Sequence, residues 1–438
     1  MATAALLTDR YELTMLQAAL ADGTASRRSV FEVFARRLPD GRRYGVVAGT
    51  GRLLELLPDL RFDDEALGWL AREGVVDERT CEHLAGWRFT GDVDGYPEGE
   101  VYVPGSPLLT VRGTFAEAVV LETLVLSVLN HDSAVAAAAS RMTSAADGRP
   151  CLEMGSRRTH EEAAVAAARA AAVAGFAGTS NLEAGRRYGL PTIGTSAHAF
   201  TLLHDDEDAA FAAQVAALGP STTLLVDTYD VAAAVERAVA LAGPGLGAVR
   251  LDSGDLGELA HDTRRQLDRL GATGTRITVT SDLDEHAIAA LGTAPVDSYG
   301  VGTSLVTGSG APTAGLVYKM VAREDAGGDL RGVAKASRHK EGVAGAKRAW
   351  REVSGGVASA EVLVVEGDGG APEVPGARPV QVALVRGGEV VAEGATGPQG
   401  VRRAAARHGE ARAELPADAR RLQRGEPCLP THVLGARA

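Results

Sequence analysis

Between Cys151 and about Val321, short apolar runs alternate with longer stretches in which apolar residues recur at helical spacing. The runs read CLEMG, GFAGTS, PTIGTS, TTLLVDT, GAVRLDSGD, RITVTSD and DSYGVGTS. The stretches between them, such as 158–173, 230–241 and 255–270, keep charges on one face and apolar residues on the other. This alternation indicates repeated β/α units and a parallel sheet. About seven such strands predict a barrel, whose active face is built from the loops after the strands. Phosphate in such barrels commonly sits after the last two strands, here at Ser281-Asp282 and at 300–304.

The pattern before residue 115 differs. It predicts a polar-started helix over 9–20, an alternating strand over 29–36 and Gly/Pro-bounded strands near 101–111, a separate α/β domain. The longest apolar stretch, 116–129, is interrupted by Glu117 and Glu122. It falls short of the ~20 residues a bilayer span needs and reads as a buried helix. After Lys335 the chain turns Gly-rich, with strands expected over 360–366 and 380–386 and an Arg-rich polar helix around 401–412. This tail is expected to pack on the N-terminal domain. The expected division is therefore 1–125, 126–334 and 335–438.

Composition narrows the function classes. Hydrophobic residues make up 45% and charged residues 23%, the balance of a globular protein rather than a disordered one. A net charge of −12 argues against nucleic acid or acidic lipid as the main partner, and leaves room for anionic small molecules in a local basic pocket. Cys81, Cys151 and Cys428 are far apart, so neither a disulfide framework nor a zinc site is expected. Residues 1–7 lack a basic region followed by a long apolar run, so no export is expected and a cytoplasmic location fits. Only four of the 45 basic residues are lysine: Lys319, Lys335, Lys340 and Lys347. Their clustering points to phosphate chemistry, where a compact ammonium serves better than a planar guanidinium, or to a solvated basic loop.

Candidate chemistry gathers at the ends of the predicted strands. Gly-Thr-Ser recurs at 178, 194 and 302. Each copy is either a phosphate cradle or an ordinary helix cap. His198, just past Gly194-Thr195-Ser196-Ala197, is a structural histidine or an acid, base or nucleophile toward a phosphoryl group. In Arg250-Leu251-Asp252-Ser253-Gly254-Asp255 a cation and two acids flank one strand end. That arrangement suits a carboxylate on the arginine and sugar hydroxyls or a Mg²⁺-diphosphate on the acids. Asp255 serves equally well as a helix cap. Arg157 follows another strand end beside Arg158, one of the pair being expected to face outward. Tyr11 is a half-buried aromatic or a stacking surface for a ligand ring.

These motifs together resemble the bacterial nicotinate phosphoribosyltransferase family. The resemblance rests on Leu7–Tyr11 with Thr14-Met15, Glu153–Arg157, Gly178–Asn181, Gly194–Phe200, Arg250–Asp255, Thr280–Asp282, Tyr299–Ser304 and Val317–Lys319, in order along nearly the whole chain. It implies a type II phosphoribosyltransferase fold, an irregular (β/α) barrel beside an α/β sandwich, in a homodimer with shared active sites. It implies conversion of nicotinate and phosphoribosyl pyrophosphate to nicotinate mononucleotide and pyrophosphate, with ATP as co-substrate and Mg²⁺ carried on the substrate phosphates. By the same resemblance His198 is the phosphorylated histidine, and Arg250 and Thr195 lie near nicotinate under a lid formed by Tyr11. Asp252 would hold the ribose hydroxyls. Ser281, Asp282, Gly300, Gly302, Thr303 and Lys319 would meet phosphate, with Arg157 close by. Ser180 stands where related nicotinamide-using enzymes have an acid, and Met154 where relatives carry a ring-stacking phenylalanine. Quinolinate or nicotinamide as substrate, a silent nucleotide-binding regulator, and an aldolase with Lys319 as Schiff base are the alternatives.

Overall fold

The computed structural model describes residues 4–335, 342–367 and 370–435. Lys340 lies outside them. The chain forms two compact units, one made of Met1–Ala137 with Thr313–Ala438, the other of Ala138–Pro312.

The second unit is the β/α region. Six parallel strands run in the spatial order Gly178–Thr179, Cys151–Glu153, Ser298–Val301, Arg276–Val279, Ala248–Leu251, Thr223–Leu225. The seventh apolar run contributes only a parallel bridge from Thr192 to Thr179. The result is a curled, open half-barrel. Val249 and Leu251, Ile277 and Val279, and Tyr299 and Val301 lie two apart along their strands and are all buried, so one face of the sheet is fully covered. Glu161–Val173, Val231–Ala242 and Leu256–Arg269 are the crossover helices.

The first unit is built on a seven-stranded antiparallel sheet, ordered Leu330–Gly332, Leu316–Glu324, Arg28–Ala35, Leu109–Thr114, Asp92–Gly95, Val382–Arg386, Glu389–Val390. Helix Arg10–Asp22 buries Leu13 and Leu16 in its core, and Phe31 stacks on Tyr318 with centroids 4.8 Å apart. The expected barrel range of 126–334 is therefore too wide. Strand Leu316–Glu324 pairs with Arg28–Ala35 and carries residues 316–324 into the first unit. The apolar stretch after residue 115 is two helices, Phe115–Val119 and Glu122–Ala145, the first opened by a Thr114–Glu117 capping box. No helix among the described residues is long and apolar enough to cross a membrane.

The C-terminal segment enters the first unit through its arginines. Arg351, Arg378 and Arg407 converge on buried Glu100, and Arg351 also reaches Glu361. On helix Gly397–Glu414, buried His408 meets the Gly99 carbonyl at 3.2 Å. Gly99 has φ +90°, and a Cβ there would sit 2.0 Å from the Ala404 carbonyl oxygen, so only glycine admits the helix. Burial, reinforced by Arg412, pulls the His408 imidazole down to about 4. The unfolded chain then takes up this proton first, and stability falls as pH drops from about 6.5 toward 4, by roughly 3 kcal/mol in full. Urea denaturation at pH 7 and pH 5 checks this: wild type should lose about 2 kcal/mol more than His408→Asn between the two. Equal losses would remove His408 as the cause.

Candidate active site

All six strands of the half-barrel point their C-terminal ends at one face, and residues at or just beyond the ends of four of them line a cleft of about 270 Å³. Its lining is Met154, Arg157, Arg158, Arg250, Asp252, Thr280, Ser281, Asp282, Gly300, Gly302 and Thr303. Eight residues expected from sequence thus meet in one place: Arg157, Arg250, Asp252, Ser281, Asp282, Gly300, Gly302 and Thr303. Arg157 and Arg158 are both exposed and both line the cleft.

The backbone of the cleft is specialised. Ser281 holds φ +113°, a conformation a non-glycine residue keeps only where its surroundings enforce it. At Gly300 a Cβ would lie 2.5 Å from Thr280 Cγ2 and 2.7 Å from Met154 Sδ. Glycine there lets Met154 and Thr280 close over the strand. Gly302 immediately precedes helix Thr303–Val306. Of the three Gly-Thr-Ser copies, only this last one lines the cleft. In the first, Thr179 is buried and Asn181 caps helix Leu182–Tyr188 through the Ala184 amide at 2.8 Å. In the second, Thr195 accepts a hydrogen bond from Arg250 Nη1.

Arg250 is half-buried, and its Nε–H is buried with no hydrogen-bond partner among the described residues. Burial lowers its pKa below the ordinary arginine value; Asp252 and Asp227 oppose the shift and Arg157 adds to it. Asp252 accepts a hydrogen bond from Thr280 Oγ1. Asp255 is a cap, accepting the Glu258 amide at 3.0 Å at the start of helix Leu256–Arg269.

His198 opens helix His198–Leu203, with 42% of its side chain exposed. Its Nδ1 lies 3.1 Å from Thr228 Oγ1, and its Nε2 lies 3.8 Å from Asp227 Oδ1 and 4.0 Å from Asp252 Oδ2. The TTLLVDT run predicts a strand and does not single out Asp227. Its carboxylate is almost fully buried. Oδ2 accepts the Asp252 amide at 3.0 Å and the Ser253 hydroxyl at 2.6 Å, while Oδ1 has no hydrogen-bond donor among the described residues. The available signal was positional: Asp227 follows its strand as Asp252 and Asp282 follow theirs.

Tyr11 and Lys319 belong to the first unit. Tyr11 is 45% exposed on helix Arg10–Asp22, and burial together with Glu122 and Glu12 pushes its hydroxyl up to about 12. Lys319 does not line the half-barrel cleft; it sits on strand Leu316–Glu324 with its ammonium 3.4 Å from Glu122. Lys347 is buried and paired with Glu32 at 2.7 Å, a structural role that its place in the lysine cluster did not reveal. Among the described residues no group of three His, Cys, Asp or Glu side chains could hold a metal ion.

Comparison with known proteins decides the family. The N-terminal domain model of nicotinate phosphoribosyltransferase matches residues 6–130, and the nicotinate phosphoribosyltransferase family model matches 150–323. The chain belongs to the nicotinate phosphoribosyltransferase family. It is 58% identical over 445 residues to nicotinate phosphoribosyltransferase pncB1 of Mycobacterium tuberculosis, covering 99% of this chain and 96% of the relative. It is 37% identical over 331 residues to the Bacillus subtilis nicotinate phosphoribosyltransferase, covering 74% and 67%. The same fold occurs in human nicotinic acid phosphoribosyltransferase, with TM-score 0.80 and 24% identity over 97% of each chain. It occurs also in a nicotinate-nucleotide pyrophosphorylase from Pyrococcus furiosus, with TM-score 0.75 and 24% identity over 94% and 96%.

Proposed function

We propose that this protein makes nicotinate mononucleotide and pyrophosphate from nicotinate and phosphoribosyl pyrophosphate in NAD salvage, coupled to ATP hydrolysis through a phosphohistidine at His198. The observation that carries the reading is the half-buried guanidinium of Arg250, its Nε–H without a hydrogen-bond partner among the described residues, in a cleft that also holds Arg157, Arg158, Asp252 and Asp282. Three cations suit a ligand set of one carboxylate and one phosphate.

In this reading Arg250 pairs with the nicotinate carboxylate and Thr195 orients the guanidinium. Ser281, Gly302 and Thr303 receive the 5′-phosphate, with Arg157 beside them. Asp252 holds the ribose hydroxyls. The pyridine nitrogen attacks the anomeric carbon as the bond to diphosphate oxygen breaks. The oxocarbenium-like transition state needs positioning and charge stabilisation more than covalent help. Mg²⁺ bound on the diphosphate would supply charge neutralisation at the leaving group, and Asp252 and Asp282 would be the nearby oxygen donors on the protein side. His198 takes the γ-phosphoryl group from ATP as the bond to ADP breaks, and water later cleaves the P–N bond to release phosphate. Thr228 and Asp227 hold its ring.

A homodimer in the cytoplasm completes the proposal, with Tyr11 covering the ring from the partner subunit. Supporting self-association, Leu182, Leu202, Leu203 and Tyr229 of the half-barrel unit are exposed, as are Leu7 and Met15 of the other.

The test is product formation with phosphoribosyl pyrophosphate and Mg²⁺, offering nicotinate, nicotinamide and quinolinate separately, each with and without ATP. Nicotinate mononucleotide in ATP-stimulated yield is expected. Turnover of another pyridine would overturn the substrate assignment, and no turnover would overturn the activity. Ser180 follows strand Gly178–Thr179 and does not itself line the cleft; in this reading Ser180→Asp adds a negative charge beside the ring-binding region, so kcat/KM for nicotinate should fall about 10- to 100-fold. Unchanged nicotinate kinetics would count against Ser180 as an acid-versus-amide determinant.

A further inference from the structure

Beneath the cleft lies a carboxylate that the proposed chemistry does not use. Glu153 ends strand Cys151–Glu153 and is 0% exposed. Its Oε1 accepts the Gly155 amide and its Oε2 accepts the Thr179 hydroxyl. Thr179 Oγ1 in turn accepts the Asn181 amide at 2.9 Å, and Asn181 Nδ2 donates to Ser156 Oγ at 3.0 Å. The Ser180 amide donates to the Glu153 carbonyl at 2.8 Å. These bonds form a closed frame running from the 154–157 loop to the neighbouring strand end and back.

We infer that Glu153 is a positioning residue: its carboxylate joins the loop bearing Arg157, which lines the cleft, to the neighbouring strand end at Thr179, and so sets where the Arg157 side of the cleft stands. This rests on the phosphoribosyl-transfer reading. Three observations support it. First, the loop is closely packed where the carboxylate meets it: a Cβ on Gly155 would lie 2.3 Å from Val306 Cγ1 and 3.1 Å from both Glu153 Oε1 and the Gly302 carbonyl oxygen. Second, no cation among the described residues contributes to the charge balance of Glu153. Burial pushes its carboxyl up, and only hydrogen bonds from Thr179 and Gly155 oppose the shift. A carboxylate buried without a counter-charge costs stability, which a mere filler of this space would avoid. Third, each of its two acceptor oxygens takes a donor from a different segment of the cleft, the geometry of a brace rather than of a cap.

The prediction separates positioning from mere folding. Thr179→Val keeps shape but removes the hydroxyl, leaving Glu153 Oε2 and the Asn181 amide unpaired. It should raise KM for phosphoribosyl pyrophosphate about 10- to 50-fold, leave kcat within about threefold, and weaken binding of inorganic phosphate by a similar factor in calorimetry. Thr179→Ser restores the hydroxyl and should restore wild-type values. Glu153→Gln should fall between, because its amide can still accept from Gly155 but can no longer accept from Thr179. Equal KM and phosphate affinity in Thr179→Val and wild type would overturn the inference, as would a loss in kcat alone. If wild type makes no nicotinate mononucleotide, the functional reading fails, and phosphate affinity in the same variants still decides the role of Glu153.

Discussion

Arg250→Ala is expected to lower kcat/KM for nicotinate by about two to three orders of magnitude. The side chain is half-buried, so its charge meets a ligand carboxylate with little screening, and truncating one partner of such a pair typically costs roughly 3–4 kcal/mol. The loss should appear mainly in nicotinate kinetics, since the phosphate side of the cleft, Ser281, Gly302 and Thr303, stays intact. Arg250→Lys should recover only part of it. A lysine keeps the charge but cannot hold Thr195 and a carboxylate at once through a rigid fork. Steady-state kinetics with each substrate varied separately provide the check. A nicotinate kcat/KM within a few-fold of wild type would remove Arg250 as the carboxylate partner.

The second large effect concerns energy coupling. His198→Ala should abolish ATP stimulation of product yield while leaving measurable transferase activity, because the ring is not needed for displacement at the anomeric carbon. Incubation of wild type with γ-labelled ATP should give an acid-labile, base-stable phosphoprotein, and the variant should give none. Asp227→Asn should act on the same step, slowing phosphorylation about tenfold or more. It removes the buried negative charge that lies 3.8 Å from Nε2 and leaves the Thr228 contact to Nδ1. Equal ATP stimulation in wild type and His198→Ala would end the phosphohistidine proposal.

Much of the half-barrel was legible in the chain. Each apolar run ends in residues that meet the cleft or frame it, because in a parallel sheet every strand delivers its C-terminal end to the same face. The helices between runs were readable from their one-sided charge. In the first unit the pattern predicts the helix over 9–20 and the strand over 29–36, observed at Arg10–Asp22 and Arg28–Ala35, and gives no sign of helices Thr50–Leu56, Asp64–Arg72 and Glu78–Ala85 or strand Lys347–Ser354. They are short, and their polar faces blur the period.

What the sequence alone determined is local: where the apolar runs end, and that Arg250, Asp252, Ser281, Gly302 and Thr303 lie at or just past the ends of successive strands. The tertiary structure decided everything that depends on contacts between distant segments. It moved strand Leu316–Glu324, and Lys319 with it, out of the barrel, since antiparallel pairing with Arg28–Ala35 spans nearly three hundred residues and leaves no local period to read. It brought Asp227 to His198 and Glu153 to Thr179, pairs whose meaning lies in burial and hydrogen bonding. An aspartate that caps a helix and one that faces a histidine look identical in one dimension. Only the fold sets the neighbours and the dielectric that separate Asp255 from Asp227.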